Sequence, residues 1–157
     1  LYTRGFAKEA YKVFHTLFEH CNDVEKSRIY PGVPEYVDAK GRGVYHYLTG
    51  AASWLLVTVI TQMFGVRGQM GDLAFVPQLL PEQFDANGEA GLSMIFADRN
   101  VKIVMKNVKK KAPADYKVSA ITIDGNAYDF ADTPVIKRVD IEALAKDTKH
   151  TIEVTLA

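Results

Sequence analysis

The chain has 157 residues, enough for one domain, or one domain and the edge of another. Basic and acidic residues balance at 19 each, so the composition gives no general pull toward nucleic acid or acidic membranes, and neither is expected as a partner. A single cysteine, Cys21, excludes an internal disulfide framework and fits a reducing, cytoplasmic compartment.

The chain starts at Leu1 and runs almost at once into a helical pattern, with no leader-peptide pattern before it. A piece of a longer protein is therefore expected. Phe6, Ala10, Val13, Phe14, Leu17, Phe18 and Cys21 fall at helical spacing, with Lys8, Glu9, Lys12 and Glu19 between them. This predicts an amphipathic helix of about five turns, capped by Thr3. His15 and His20 lie beside the stripe and read as helix-surface histidines.

From Asn22 to Gly43 the pattern breaks. Pro31-Gly32-Val33-Pro34 favours extended or turn geometry, so a long loop is expected. Arg28, Tyr30, Glu35, Tyr36, Asp38 and Arg42 give that loop polar and aromatic content suited to sugar contacts.

Val44 to Phe64 reads as a second helix, apolar nearly all round and therefore buried on most sides. His46, Gln62 and several threonines argue against a membrane span. Gly65 is a natural stop. Within this stretch, Thr49-Gly50-Ala51-Ala52-Ser53 makes room where a core would want bulk. A hydroxyl beside an unshielded backbone N–H near a helix start can hold an oxyanion; close helix packing at the glycine is the other reading.

After Gly65 the period changes from helical to two-residue. Leu73, Phe75, Leu92, Met94, Phe96, Val101, Ile103 and Met105 alternate or nearly so. Lys109-Lys110-Lys111 reads as a solvated turn. Tyr116 to Ile123 is strand-like, and Asp124-Gly125 is a type I′ hairpin dipeptide. Ile141 to Lys146 has room for one or two helical turns. Ile152, Val154 and Leu156 alternate with Glu153 and Thr155, so a half-buried strand ends the chain. Short strands at this spacing imply an antiparallel sandwich. The fold class is α+β, with a boundary near Gly65 to Gly71. The histidines are scattered and the cysteine is alone, so no metal site is expected. No nucleophile elbow, P-loop or marked pair of carboxylates appears.

Three stretches carry a resemblance. Tyr30-Pro-Gly-Val-Pro-Glu-Tyr36, Gly41-Arg-Gly-Val-Tyr-His-Tyr-Leu-Thr-Gly-Ala-Ala-Ser-Trp54 and Phe64-Gly-Val-Arg-Gly68 resemble the C-terminal part of glycoside hydrolase family 94, the inverting phosphorylases of β-linked glucosides. Within the family they look most similar to the cellodextrin and 1,2-β-oligoglucan phosphorylase branches. Pro77-Gln-Leu-Leu-Pro-Glu-Gln-Phe84 and Asp115-Tyr-Lys-Val118 are similar to the family's tail.

The resemblance implies that residues 1–66 are the last helices of an (α/α)6 catalytic barrel and residues 67–157 a small C-terminal antiparallel β-sandwich. It implies phosphorolysis of a β-gluco-oligosaccharide to α-glucose 1-phosphate, with inorganic phosphate as co-substrate and no cofactor. Thr49 and Gly50 match the family's phosphate-binding Thr-Gly pair, and Leu48 replaces the aromatic before it. Tyr30, Glu35 and Arg42 would belong to a sugar-site loop. The family's catalytic aspartate and its phosphate-binding arginine and histidine lie upstream, so no catalytic residue is expected here. The fragment alone should be inactive, and the full-length protein a homodimer. The competing readings are a non-catalytic carbohydrate-binding sandwich, for which Tyr116, Tyr128 and Phe130 would be the binding rings, and a structural capping domain.

Overall fold

The computed structural model describes the whole chain except Pro31 and residues 46–49. It is a mixed α+β protein that divides into two compact units, Leu1–Met63 and Phe64–Ala157. Among the described residues no helix is long and apolar enough to cross a membrane.

The first unit opens with a 3-10 turn, Tyr2–Arg4, closed by Gly5 in the left-handed conformation. Helix α1 spans Ala7–Asn22 and follows the amphipathic pattern. Thr3 does not cap it: it lies inside the 3-10 turn, and Phe6 holds the N-cap position without a side-chain bond. Ala7, Ala10 and Cys21 are buried, whereas Phe6, Val13 and Phe18 of the apolar stripe remain exposed. Phe14 and Phe18 stack along the helix at 6.3 Å.

The expected long loop is partly ordered as regular structure. Asp23 starts a one-turn helix, α2 (Val24–Ser27), by accepting the Lys26 amide at 3.0 Å, and Arg28 ends it with φ 58°. An antiparallel hairpin follows, β1 (Tyr36–Val37) with β2 (Gly43–Val44). The second helix is correspondingly shorter than its apolar pattern. Gly43 and Val44 are spent in β2, and helix α3 covers Ala51–Thr58 before the chain widens into a π-helical turn, Val59–Met63. Hydropathy marks where a segment wants cover; it does not mark where its backbone changes from strand to helix.

The second unit contains two sheets. One has three strands in the order β3 (Val66–Gln69), β4 (Asp72–Phe75), β9 (Val135–Ile136). The other has the order β5 (Glu89–Phe96), β6 (Arg99–Lys106), β10 (Lys149–Leu156), β7 (Val118–Ile123), β8 (Asn126–Tyr128). A 3-10 turn at Pro81–Gln83 joins the first sheet to the second, and a short helix, α4 (Arg138–Glu142), precedes β10.

Two features depart from an antiparallel sandwich ending in an ordinary strand. β10 pairs parallel with β6 and antiparallel with β7, so the larger sheet is mixed. It is also the central strand, with neighbours on both sides. Its alternation gives one buried face, which a central strand and an edge strand share, so sequence alone does not tell them apart. That face carries Ile152, Val154 and Leu156, packed into a core with Val101, Ile103, Met105, Ile121, Leu73, Phe75, Ile136 and Ile141.

The Asp124-Gly125 turn forms as expected, with both residues at positive φ and Ile123 facing Asn126. Met70-Gly71 and Ala97-Asp98 make two further two-residue turns with positive φ at both positions.

Candidate functional site

The residues expected at a sugar and phosphate site all belong to the first unit. Asp38 builds the hairpin. Its Oδ1 accepts the amides of Lys40 and Arg42, each at 2.9 Å, and its Oδ2 accepts Arg42 Nε at 2.8 Å and Nη2 at 2.7 Å. The Arg42 amide, followed by its side chain, holds the Asp38 carboxyl below the usual carboxylate range. The charges of Arg42 and Asp38 therefore answer each other within the turn. Arg42 acts here as a brace of the hairpin.

Glu35 and Tyr45 close the open end of the hairpin, with the Glu35 amide donating to the Tyr45 carbonyl at 3.0 Å. The Glu35 side chain is exposed. The rings of Tyr36 and Tyr45 meet edge to face at 5.6 Å, and both stay more than half exposed. A partly exposed aromatic pair is the kind of surface that contacts the C–H face of a sugar ring.

Gly43 is required by packing. A Cβ there would stand 2.6 Å from the Ile29 side chain and 2.9 Å from that of Pro34. This contact holds the irregular segment around Ile29 and Tyr30 against the hairpin; Tyr30 itself is 66% exposed. From the other side, His20 of α1 donates from Nε2 to the Gly41 carbonyl at 2.8 Å. His20 thus supports the loop, a role its place beside the apolar stripe did not reveal.

Thr49 lies outside the described residues. Gly50 is exposed and occupies the N-cap position of α3, with no side-chain cap. The Trp54 indole lies against it: a Cβ on residue 50 would meet Cδ1 at 2.9 Å and Nε1 at 3.0 Å. The start of a helix carries the positive end of its dipole. Any residue larger than glycine would displace the indole.

The second unit has a cleft of about 510 Å³ lined by Asp72, Tyr128, Asp129, Phe130, Asp132 and Lys137, among others. Several of its polar groups are already engaged. Asp72 accepts Lys137 Nζ and the Arg138 amide, both at 2.9 Å. The Tyr128 hydroxyl donates to Asp140 at 2.7 Å and accepts the Lys137 amide at 3.0 Å. Tyr116 donates to the Leu79 carbonyl at 3.0 Å, and burial pushes its hydroxyl well above the ordinary tyrosine range. Tyr116, Tyr128 and Phe130 are each half-buried rather than presented as a row of exposed rings. Among the described residues no group of three or more His, Cys, Asp or Glu side chains could hold a metal ion.

No protein-family model matches the chain, and comparison with curated proteins finds no relative.

Proposed function

We propose that the chain is the C-terminal part of an inverting β-glucan oligosaccharide phosphorylase. The whole enzyme would cleave a β-glucosidic bond with inorganic phosphate and release α-glucose 1-phosphate. In this reading the first unit completes an (α/α)6 barrel, the second is its C-terminal β-sandwich, and the full-length protein is a homodimer. The observation that carries the reading is the run from Gly41 to Trp54, in which the glycine of Thr49-Gly50 lies exposed at the N-cap position of α3. The character of α3 adds support. It is apolar yet has no buried residue, and Trp54, Leu56 and Val57 are 71%, 61% and 44% exposed. The missing barrel helices would cover these side chains.

Phosphate is already anionic, so it needs no base to make it a nucleophile; one acid for the leaving oxygen is enough. That acid comes from outside this chain. Thr49 and Gly50 would each offer a neutral donor, orienting the phosphate in line with the anomeric carbon. Tyr30, Glu35 and the Tyr36–Tyr45 pair would flank the sugar, with Arg42 fixing the hairpin that carries them.

The test is made in the full-length protein. It should release α-glucose 1-phosphate from a β-1,4- or β-1,2-linked gluco-oligosaccharide when phosphate is added, and the 157-residue chain alone should not. Thr49→Val keeps the shape and removes one donor to a charged group, a loss of about 1.5–3 kcal/mol. That corresponds to roughly ten- to a hundredfold in kcat/KM for phosphate, with oligosaccharide binding measured by calorimetry nearly unchanged. Absence of phosphorolysis over both linkages would overturn the reading. Equal weakening of phosphate and sugar would return Thr49-Gly50 to a packing role.

A further inference from the structure

The second unit buries a histidine whose surroundings accept hydrogen bonds on both sides. His150 is 5% exposed and sits at the start of β10, on the same face as Ile152, Val154 and Leu156. Its Nδ1 lies 2.6 Å from Oδ2 of Asp124 in the β7–β8 turn. Its Nε2 lies 2.9 Å from the carbonyl of Ala145, in the connection between α4 and β10. An ionised carboxylate and a carbonyl can only accept, and a neutral imidazole carries a single N–H. Only the imidazolium satisfies both contacts. A neutral ring would leave one acceptor facing a lone pair in a buried place.

We propose that His150 is an imidazolium latch: carrying both ring protons, it ties the β7–β8 turn to the α4–β10 connection, and it releases one of those ties when a proton leaves.

The surrounding charges are consistent with this. Asp124 also accepts the Thr151 amide through Oδ1 at 2.7 Å, so the turn is fastened to β10 at two points. Both bonds hold the Asp124 carboxyl below its ordinary range, and it is ionised wherever the latch operates. The other charge acting on the ring is Arg99 of β6, which opposes protonation. Arg99 is buried too, and its guanidinium donates to carbonyls: Leu144 at 2.6 Å, Ala97 at 3.2 Å, and Glu142. Arg99 and His150 thus grip the end of α4 and the connection that follows it, the first at Glu142 and Leu144 and the second at Ala145. Asp147 and Lys149, the charged neighbours in sequence, are exposed. The Asp124 hydrogen bond, and after it the Ala145 carbonyl, raise the His150 ring above its ordinary 6.5 despite burial and Arg99.

Because the folded value is raised, the latch contributes its full stability below pH 6.5 and loses it as pH rises through the folded value. On the alkaline side the α4–β10 connection should therefore open locally before the sheet does.

The experiment uses the 157-residue chain labelled with nitrogen-15 in its histidine rings. Ring spectra followed from pH 5 to 10 should show His150 keeping both protons above pH 6.5. Over the same range, hydrogen-exchange protection at the Thr151 amide and the amides of residues 143–149 should fall roughly tenfold or more, while β6 keeps its protection. Asp124→Asn suits the control, since asparagine tolerates the left-handed turn and still accepts the Thr151 amide. It should lower the His150 titration and flatten the pH dependence. The proposal is overturned if wild-type His150 titrates at or below 6.5, if protection of the connection is independent of pH, or if Asp124→Asn leaves the profile unchanged.

Discussion

Two glycines with similar backbone angles make different demands. Gly65 has φ 64°, and a Cβ there would lie 1.9 Å from the carbonyl oxygen of Val76, whose own amide donates to Gly65. Gly125 has φ 82° and open space around it. Alanine at 125 therefore meets only the left-handed backbone cost, about 1–2 kcal/mol. Alanine at 65 must also push backbone aside and should cost more than about 4 kcal/mol. Urea unfolding of the two variants measures the difference; equal losses would refute the packing account. Arg99 makes a similar point. The Ala97-Asp98 turn has no glycine, yet both residues lie at positive φ, and Arg99 donates to the carbonyls of both. Arg99→Met removes these bonds together with those to the α4–β10 connection, and should destabilise the second unit by about 2–4 kcal/mol.

At the scale of elements, position in the sheet outweighs composition. Ile152 on central β10 is fully buried, and Ile95 on β5, at the sheet's edge, is 70% exposed. Ile152→Ala should cost about 2–5 kcal/mol, and Ile95→Ala no more than about 0.5 kcal/mol, both read by denaturant titration. α3 presents the opposite case, an apolar helix with no buried residue. Trp54 is the one tryptophan of the chain, so its fluorescence isolates this element. Iodide should quench it readily in the 157-residue chain. Under the proposed reading it should be shielded in the full-length protein, where other helices cover it; equal quenching in both would count against the barrel.

Across the molecule, the acid and alkaline limits of stability come from different groups. Asp72 and Asp124 have carboxyls held below the ordinary 3.8, the first chiefly by the Arg138 amide and the second by His150. Depressed values mean that their contribution is present above pH 3.8 and lost as pH falls through the folded values. The melting temperature of the second unit should therefore drop in acid, and Asp72→Asn should shallow that drop. A profile identical to wild type would show that Asp72 is not part of it.

The sequence by itself determined what local periodicity and turn chemistry can encode. α1, the change to a two-residue period after Gly65, the Asp124-Gly125 hairpin and the buried face of β10 follow from spacing, because side-chain direction repeats with the backbone. The resemblance that marks Thr49-Gly50 is also legible there. Pairing was decided only by the tertiary structure. That β10 lies between β6 and β7, parallel to one and antiparallel to the other, depends on contacts between residues far apart in the chain. So does the use of His20, which holds the carbonyl of Gly41; the charge of Arg42 is met by Asp38 only four residues earlier, across the turn of the β1–β2 hairpin. His150 falls between these cases. Its register with Ile152 and Val154 already puts it on the inward face of β10. The partner that makes its charge possible is supplied by a turn 26 residues away, which no local pattern records.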